Sequence, residues 1–309
     1  MLSFEILTTV NNLAIIIPFY KKKYFEKTLD SLVNQSERNF SVYIGNDNSP
    51  DDIEDLLSEY ADHLNLKYEK FSQNLGADYL TLQWDRCIAL SDKEEWIMIL
   101  GDDDVLGSNV VEEFYSHLDR VETSKIKVIR YASQLIDEAD RKTSEIYYNP
   151  ELEKAGTSYI RTLKGKGRST LSEHIFARSA YDKHGFKHFP VAFGSDNVAW
   201  LEFPDMENIY SINTAVVSVR ISKEHLSSRE DNGLKYKRRE GIYLFNRYII
   251  ENYALFFTKE EKFLILKKAY RNLRFATRNK LKTFEFLFFM FRKIGWKTVD
   301  IIKNNRYKD

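Results

Sequence analysis

The chain has 309 residues, of which 43% are hydrophobic and 14% aromatic, enough for one large domain with an appendage or for two domains. The single cysteine, Cys87, excludes an intramolecular disulfide framework and indicates a reducing compartment. No stretch reaches the ~18 apolar residues of a membrane-spanning helix, and the first residues lack a signal-peptide pattern. We therefore expect a cytoplasmic protein.

The net charge of zero conceals an uneven distribution of charged residues. Residues 231–309 hold 20 Lys and Arg against 8 Asp and Glu, whereas residues 1–230 hold 26 against 38. The basic segment is predicted to meet an anionic surface, either a membrane or the acidic body of the protein. Because that body would repel a phosphate backbone, we expect no nucleic-acid partner.

Strands and helices are predicted to alternate along the first half of the chain. The apolar run 13–17, ended by Pro18, is typical of a strand buried on both faces. The following predicted elements are a helix around 25–33, a strand at 40–44, a helix at 51–60, a strand at 66–71, a helix at 76–90, a strand at 96–100, a helix at 110–118 and a strand at 127–131. This alternation predicts an α/β fold whose mostly parallel central sheet carries helices on both faces.

After residue 131 the pattern is less regular. Strands are predicted at 174–177 and 210–221, and a basic loop at 164–170. From residue 234 onward the chain reads as helical, with Phe and Tyr recurring every three or four positions. We therefore divide the chain into an α/β domain, 1–230, and a basic, aromatic-rich helical region, 231–309.

Three consecutive aspartates, Asp102, Asp103 and Asp104, follow the predicted strand 96–100 with only Gly101 between. Clustered acids at the end of a buried strand repel one another and lose hydration, so a cation usually neutralises them. Their hard oxygens suit Mg²⁺ or Mn²⁺, which often bridge a protein to a phosphate-bearing ligand. The alternative is a solvated acidic turn before the next helix.

Polar and turn residues at four predicted strand ends are expected to share one edge of the sheet, where ligands bind in such folds. They are residues 18–19, 46–47, 74 and 102–104. A longer pattern is formed by the segments 15–20, 29–35, 46–49, 74–76, 102–104, 177–179, 185–186 and 195–196. In order and spacing these segments resemble the family 2 glycosyltransferases, inverting enzymes with the GT-A fold, of the type that builds bacterial cell-surface polysaccharides. The resemblance extends over roughly residues 13–230 and implies that the domain 1–230 is the catalytic domain.

The resemblance implies a nucleotide-diphosphate sugar as donor, and the ends of the first two strands as the site for its base and ribose. The donor-binding residues so implied are Pro18, Phe19, Tyr20, Asn46, Asp47, Asn74, Asp102, Arg178 and Arg220. For three of these positions another role is open. Asp47 could simply cap an Asx-turn, Arg178 could form a buried ion pair, and Arg220, like the nearby His225, could be an ordinary surface residue.

The resemblance also implies an Asp-x-Asp motif that contacts ribose and a divalent ion. Alignment through residues 105–108 favours Asp103 as the metal ligand with Asp102 on the ribose, whereas a literal Asp-x-Asp reading favours Asp104. Asp196 takes the place of the general base, although Ser195 stands where the family usually has Glu. The alternative for Asp196 is a helix N-cap.

The segment 284–291 holds seven apolar residues in eight and is followed by Arg292 and Lys293. It is expected either to touch the cytoplasmic face of the inner membrane, through 234–309, or to pack on the catalytic domain or a partner subunit. The resemblance implies a metal-dependent inverting transferase that moves a sugar from a nucleotide-diphosphate donor, with UDP as the expected carrier, to a glycan or lipid-linked glycan acceptor. The alternatives are an inactive sugar-nucleotide-binding or scaffolding module and a nucleotidyltransferase, and homo-oligomerisation is left open.

Overall fold

A mixed sheet of nine strands forms the centre of the computed structural model, which describes residues 12–76, 78–222, 232–277 and 279–304. The strands are β1 (Leu13–Phe19), β2 (Phe40–Asn46), β3 (Leu66–Lys70), β4 (Trp96–Ile99), β5 (Val105–Leu106), β6 (Val128–Ile136), β7 (Leu152–Lys154), β8 (His174–Ala177) and β9 (Asn208–Arg220). Their order is β3-β2-β1-β4-β8-β6-β9-β5, with β7 paired to β9. Strands β1 to β4, β6 and β9 run in one direction, which confirms the predicted mostly parallel sheet.

Helices lie around this sheet and continue beyond it. They are α1 (Phe25–Val33), α2 (Glu54–Tyr60), α3 (Leu80–Ile88), α4 (Val110–Thr123), α5 (Ala155–Leu163), α6 (Arg178–His184), α7 (Ser195–Glu202), α8 (Asn232–Tyr253), α9 (Lys259–Ala276), α10 (Lys280–Ile294) and α11 (Lys297–Asn304). Short 3-10 turns occupy Pro190–Ala192 and Ala254–Phe256.

The continuous apolar run of β1 reflects its position between β2 and β4, with helices on both faces of the sheet. Residues 13–17 are fully buried, as is most of β4. Helix α1 turns Phe25, Leu29 and Leu32 toward this core and its charged residues toward solvent. The continuous apolar runs of the strands and the period of 3.6 residues in the helix thus follow from which of their faces are covered.

Two elements with weak apolar periodicity, α5 and β7, were not predicted from the sequence. Helix α5 contains Gly156 and two threonines, which favour helix poorly, and it is held by burial of Tyr159 and Ile160. Strand β7 has three residues and pairs only with β9. The helix predicted from residue 76 begins at Leu80, because Gly76 has a φ of +54° that no helix accommodates.

The C-terminal helices pack on the α/β body. Helix α8 contacts α9, α7 and the turn Pro190–Ala192. The hydroxyls of Tyr248 and Tyr253 each donate to Glu202 Oε1 at 2.6 Å, and Tyr159 donates to Asn246 Oδ1 at 2.6 Å. Of the helices described, none combines the length and the apolarity needed to cross a bilayer.

A buried ion network joins the second half of the sheet to α5. Arg130, 1% exposed, donates to Glu153 Oε2 at 3.0 Å and to Ser158 at 2.5 Å. Arg161 donates to both oxygens of Glu153, at 2.9 and 3.0 Å. One buried carboxylate therefore compensates two guanidinium groups, the buried one of Arg130 and the partly exposed one of Arg161.

Candidate active site

The loops that follow β1, β2 and β4 are tied together at the carboxyl edge of the sheet. Asp102 Oδ2 accepts hydrogen bonds from the backbone N–H groups of Tyr20 and Lys21, both at 2.8 Å. Ser49 Oγ donates to the Tyr20 carbonyl at 2.6 Å. The strand ends that were predicted to converge are therefore in contact, and Tyr20 itself is exposed there.

Two residues predicted to bind the donor do not expose their side chains at this edge. The Phe19 ring is fully buried and packs on Phe25, with 4.7 Å between ring centroids. Asn46 is also fully buried; it accepts from the Ser49 N–H and donates to the Tyr68 hydroxyl. Phe19 and Asn46 thus shape the strand ends, whereas the adjacent Pro18 is partly exposed.

Asp47 holds the loop that follows β3 against the end of β2. Its carboxylate accepts from the N–H groups of Leu75 at 2.7 Å and Gly76 at 3.0 Å, while Asn74 Nδ2 donates to its carbonyl at 2.7 Å. Asp47 is 5% exposed, so its carboxylate is largely committed to these bonds. The structure therefore brings Asp47 and Asn74 together as predicted and gives Asp47 a turn-stabilising role.

Arg86 joins this group and was not predicted. Its Nη2 lies 2.5 Å from Asp47 Oδ1, and its guanidinium stacks 3.9 Å from the centroid of the Phe71 ring. Gln83 Oε1 accepts from its Nε at 2.5 Å. Its one signal in the sequence was a cation on the amphipathic helix α3, and most of the described helices carry such a cation.

The three aspartates point in different directions. Asp104 is buried, and its two carboxylate oxygens accept from the Arg220 N–H at 2.9 Å and from Ser172 Oγ at 2.5 Å. A Cβ at Gly101 would lie 2.8 Å from Asp104 Oδ2, so a larger residue before the triplet would displace the inward-turned Asp104 carboxylate. Asp102 and Asp103 remain partly exposed at the edge.

Arg220 was predicted as a surface or phosphate-binding residue, but it is fully buried. Its guanidinium donates to the carbonyls of Asp103 at 2.9 Å and Asp137 at 2.7 Å, and Nη2 lies 2.6 Å from Asp140. The surface alternative is therefore wrong, because these bonds fix Arg220 beneath the acidic loop. His225 lies outside the described residues.

Arg178 lies at the other end of the strands, beside the first residue of β4. Its N–H donates to the carbonyl of Glu95, which precedes β4, and its Nε donates to the Glu94 carbonyl at 2.6 Å. Its Nη2 is 3.7 Å from the Glu94 carboxylate. The structure thus contradicts the predicted phosphate contact, because β4 separates Arg178 from the aspartates; the ion-pair alternative agrees with the structure.

Asp102 and Asp103 form a donor set suited to a hard divalent cation. Desolvation and the neighbouring charge of Asp103 raise the pKa of Asp102 to about 6, despite the two backbone N–H groups that favour its ionised form. A cation would relieve this repulsion. No group of three or more His, Cys, Asp or Glu side chains in the described residues is arranged to hold a metal by itself. Mg²⁺ commonly binds through one or two carboxylates and completes its coordination with substrate phosphates and water.

Asp196 is the second residue of α7, behind a strained turn. Gly194 has a φ of +99°, and a Cβ there would lie 2.0 Å from the Phe245 ring, so only glycine fits. Val191 and Ala192 also have positive φ, at 53° and 54°, which is costly for side chains of this kind. The turn is held by α8, so the placement of Asp196 depends on the C-terminal helices.

The Asp196 carboxylate accepts from the N–H and the Nδ2 of Asn197, at 2.8 and 2.9 Å. Burial raises the pKa of Asp196 to about 6, and the charge of Glu173 adds to this shift. Glu173 adjoins Ser172, which donates to Asp104. Ser195 is fully buried, so the position that usually carries the preceding acid does not face the surface.

Comparison with known proteins agrees with this geometry. The sequence profile described as glycosyl transferase family 2 matches residues 14–185. A search of the curated proteins gives no match.

Structures of TarS from S. aureus share the fold. The 1-349 fragment in complex with UDP-GlcNAc is 15% identical with a TM-score of 0.66, over 94% of this chain and 83% of that chain. The same fragment with UDP is 13% identical, with a TM-score of 0.57, over 96% and 92%. A further TarS structure is 14% identical with a TM-score of 0.63, and the match spans half of its length. At these identities the likeness shows the fold and confirms the predicted GT-A architecture. Since the family profile covers more than half of its residues, the chain belongs to glycosyl transferase family 2 and is a glycosyltransferase.

Proposed function

We propose that the chain transfers a sugar, with inversion, from a UDP-sugar to a hydroxyl of a glycan or lipid-linked glycan acceptor in surface polysaccharide synthesis. The observation that carries this proposal is the corner where Asp102 ties the loop after β1 to the loop after β4, with Asp47 and Asn74 beside it. UDP is favoured as the carrier because TarS, which has the same fold, was crystallised with UDP-GlcNAc and with UDP.

The donor would lie across this corner. Tyr20 and Pro18 are accessible to the base and ribose, and Arg86 with its stacked partner Phe71 adds a cation at the Asp47 side. Asp102 and Asp103 are the metal ligands we propose, because both carboxylate oxygens of Asp104 already accept hydrogen bonds from Arg220 and Ser172. Bound Mn²⁺ or Mg²⁺ would stabilise the charge that develops on the leaving diphosphate.

Asp196 is the general base in this proposal. Its carboxylate would accept the proton of the acceptor hydroxyl while that oxygen attacks the anomeric carbon from the face opposite the diphosphate. The bonds from Asn197 orient the carboxylate, and burial brings its pKa close to neutral pH, which suits a base that must also be ionised.

We expect kcat/KM to fall on the acid side with an apparent pKa near that of Asp196, about 6. A base acts only when deprotonated, so activity is full above this pH and drops about tenfold per unit below it. Rates measured from about pH 5 to about pH 8 at saturating metal test this expectation. In an Asn197→Ala variant, which lacks one donor to the carboxylate, the acid limb should move to higher pH. An acid limb that does not respond to this substitution contradicts the assignment.

UDP with Mn²⁺ is expected to raise the melting temperature of the protein, and GDP to raise it less. At a hundredfold excess over Kd, one bound ligand stabilises the folded state by ~2.7 kcal/mol. The Asp103→Asn variant should lose the metal-dependent part of the shift, whereas Asp62→Asn, at an exposed acid away from the site, should keep it. The absence of a shift with every nucleotide and metal would contradict the proposal.

The alternative of an inactive binding module predicts a different pair of results. Such a module would show the thermal shift with UDP-sugar but release no UDP in the presence or absence of acceptor. A coupled assay for UDP release, run beside the thermal shift, therefore distinguishes the two.

A further inference from the structure

Helix α10 has two apolar faces, and only one of them is covered in the described structure. Phe286, Met290 and Ile294 are buried, with Phe286 against Tyr243 at 5.0 Å between ring centroids. A second set of large apolar side chains is exposed on the other side of the helix and just beyond its end. We call this set the aromatic stripe; it consists of Leu281, Phe284, Phe288, Phe291 and Trp296.

The spacing makes the stripe continuous. Residues 281, 284, 288 and 291 follow one another at intervals of three and four, so they line one side of the helix. Trp296 extends it through an edge contact with Phe291, at 5.5 Å between centroids. Phe284 is 68% and Trp296 79% exposed. A contiguous exposed apolar surface of this kind usually marks an interaction site.

The charged residues around the stripe indicate which kind of surface it binds. At 3.6 residues per turn, the exposed Lys280 and Arg292 fall on either side of the stripe. Helix α10 carries two further cations, Lys282 and Lys293, against one acid, Glu285. An aromatic stripe with cations on its flanks matches a membrane interface, where rings enter the acyl boundary and cations meet anionic headgroups.

A second copy of the chain is a less suitable partner for the aromatic stripe. A two-fold interface would place the same patch on both sides, so the cations of one α10 would face those of the other. We therefore propose that the aromatic stripe docks the protein on an anionic phospholipid bilayer. This proposal does not depend on the chemistry of the active site. The buried face of α10 holds the helix against α9 and α8.

Vesicle co-sedimentation of the full chain tests the proposal. We expect binding to vesicles of phosphatidylglycerol and phosphatidylcholine in equal parts, and far weaker binding to phosphatidylcholine alone. A Phe284→Ser, Phe288→Ser double variant should bind at least about a hundredfold less, because burying each phenyl group contributes about tenfold or more. The matched control, Tyr148→Ser with Leu152→Ser, removes two large apolar residues that are also more than half exposed but lie outside the C-terminal helices, and it should bind normally.

Lys280→Glu with Arg292→Glu should abolish the preference for anionic vesicles. Wild-type protein that fails to bind these vesicles, or binding that survives the phenylalanine substitutions, overturns the proposal. So does a dimer in sedimentation velocity that the same substitutions dissociate while vesicles are not bound. The thermal shift with UDP should be unchanged in every variant, so loss of vesicle binding is separable from failure of the proposed transferase activity.

Discussion

Replacing Asp196 with asparagine is expected to lower kcat by about 10²–10⁴-fold, the range that a positioned general base contributes. The amide has the same shape and its oxygen can still accept from Asn197. The substitution should therefore leave α7 and the strained turn at Gly194 that precedes it unaffected. An amide cannot take the proton of the acceptor hydroxyl. Donor affinity should stay close to wild type, because Asp196 lies on α7 and the proposed donor corner is built on β1, β2 and β4.

The measurement is UDP release with acceptor, together with the thermal shift with UDP and Mn²⁺. The Asn197→Ala variant is the matched control: it removes one hydrogen bond to the carboxylate but leaves the base, so its loss should be much smaller at alkaline pH. An Asp196→Asn enzyme that retains activity within about tenfold of wild type would assign the base elsewhere.

Replacing Glu153 with glutamine is expected to destabilise the protein by about 3–5 kcal/mol, the cost of leaving a buried charge without its partner. Arg130 is 1% exposed and would keep its charge while its hydrogen-bond acceptors, the serine hydroxyls and the amide oxygen left by the substitution, are all neutral. The loss would be measured by urea unfolding at neutral pH. Glu151→Gln is the matched control: it breaks the Arg120–Glu151 pair, whose side chains are more than half exposed, and should cost less than about 1 kcal/mol.

The same network makes the stability of the folded protein depend on pH in a predictable direction. Burial acts to raise the pKa of Glu153, but hydrogen bonds from Arg161 and Arg130 outweigh it, and the folded-state pKa is lowered. The stabilisation is therefore present above the pKa of glutamate in the unfolded chain and is lost as pH falls through the folded-state pKa. Wild type should lose stability in acid more steeply than Glu153→Gln. Equal acid sensitivity in the two proteins would contradict this account.

Predictions at the edge of the sheet succeeded where strand direction alone decided the position. Asn74, Asp47, Tyr20 and Asp102 were expected together because parallel strands end on the same side, and their loops are in contact. Arg178 was placed wrongly because β8 runs antiparallel to β4, so the residue after β8 lies at the opposite edge. The short apolar run of β8 carries no sign of its direction.

The choice among the three aspartates also required the fold. Asp102, Asp103 and Asp104 are chemically identical in the sequence, and two registers were open. Asp104 is turned inward by partners 68 and 116 residues away, Ser172 and the backbone of Arg220. No local pattern contains such contacts.

The alternating elements, the acidic loop after β4 and the basic aromatic tail could be predicted from the sequence alone, because they depend on the spacing of apolar residues and on local charge. Three features required the fold: which carboxylates stay at the edge, the burial of Arg220 and Asn46, and which side of α10 is left exposed. They required it because burial and hydrogen-bond partners depend on residues far apart in the chain. Periodicity describes how one segment meets its surroundings, but it does not identify the segment it meets.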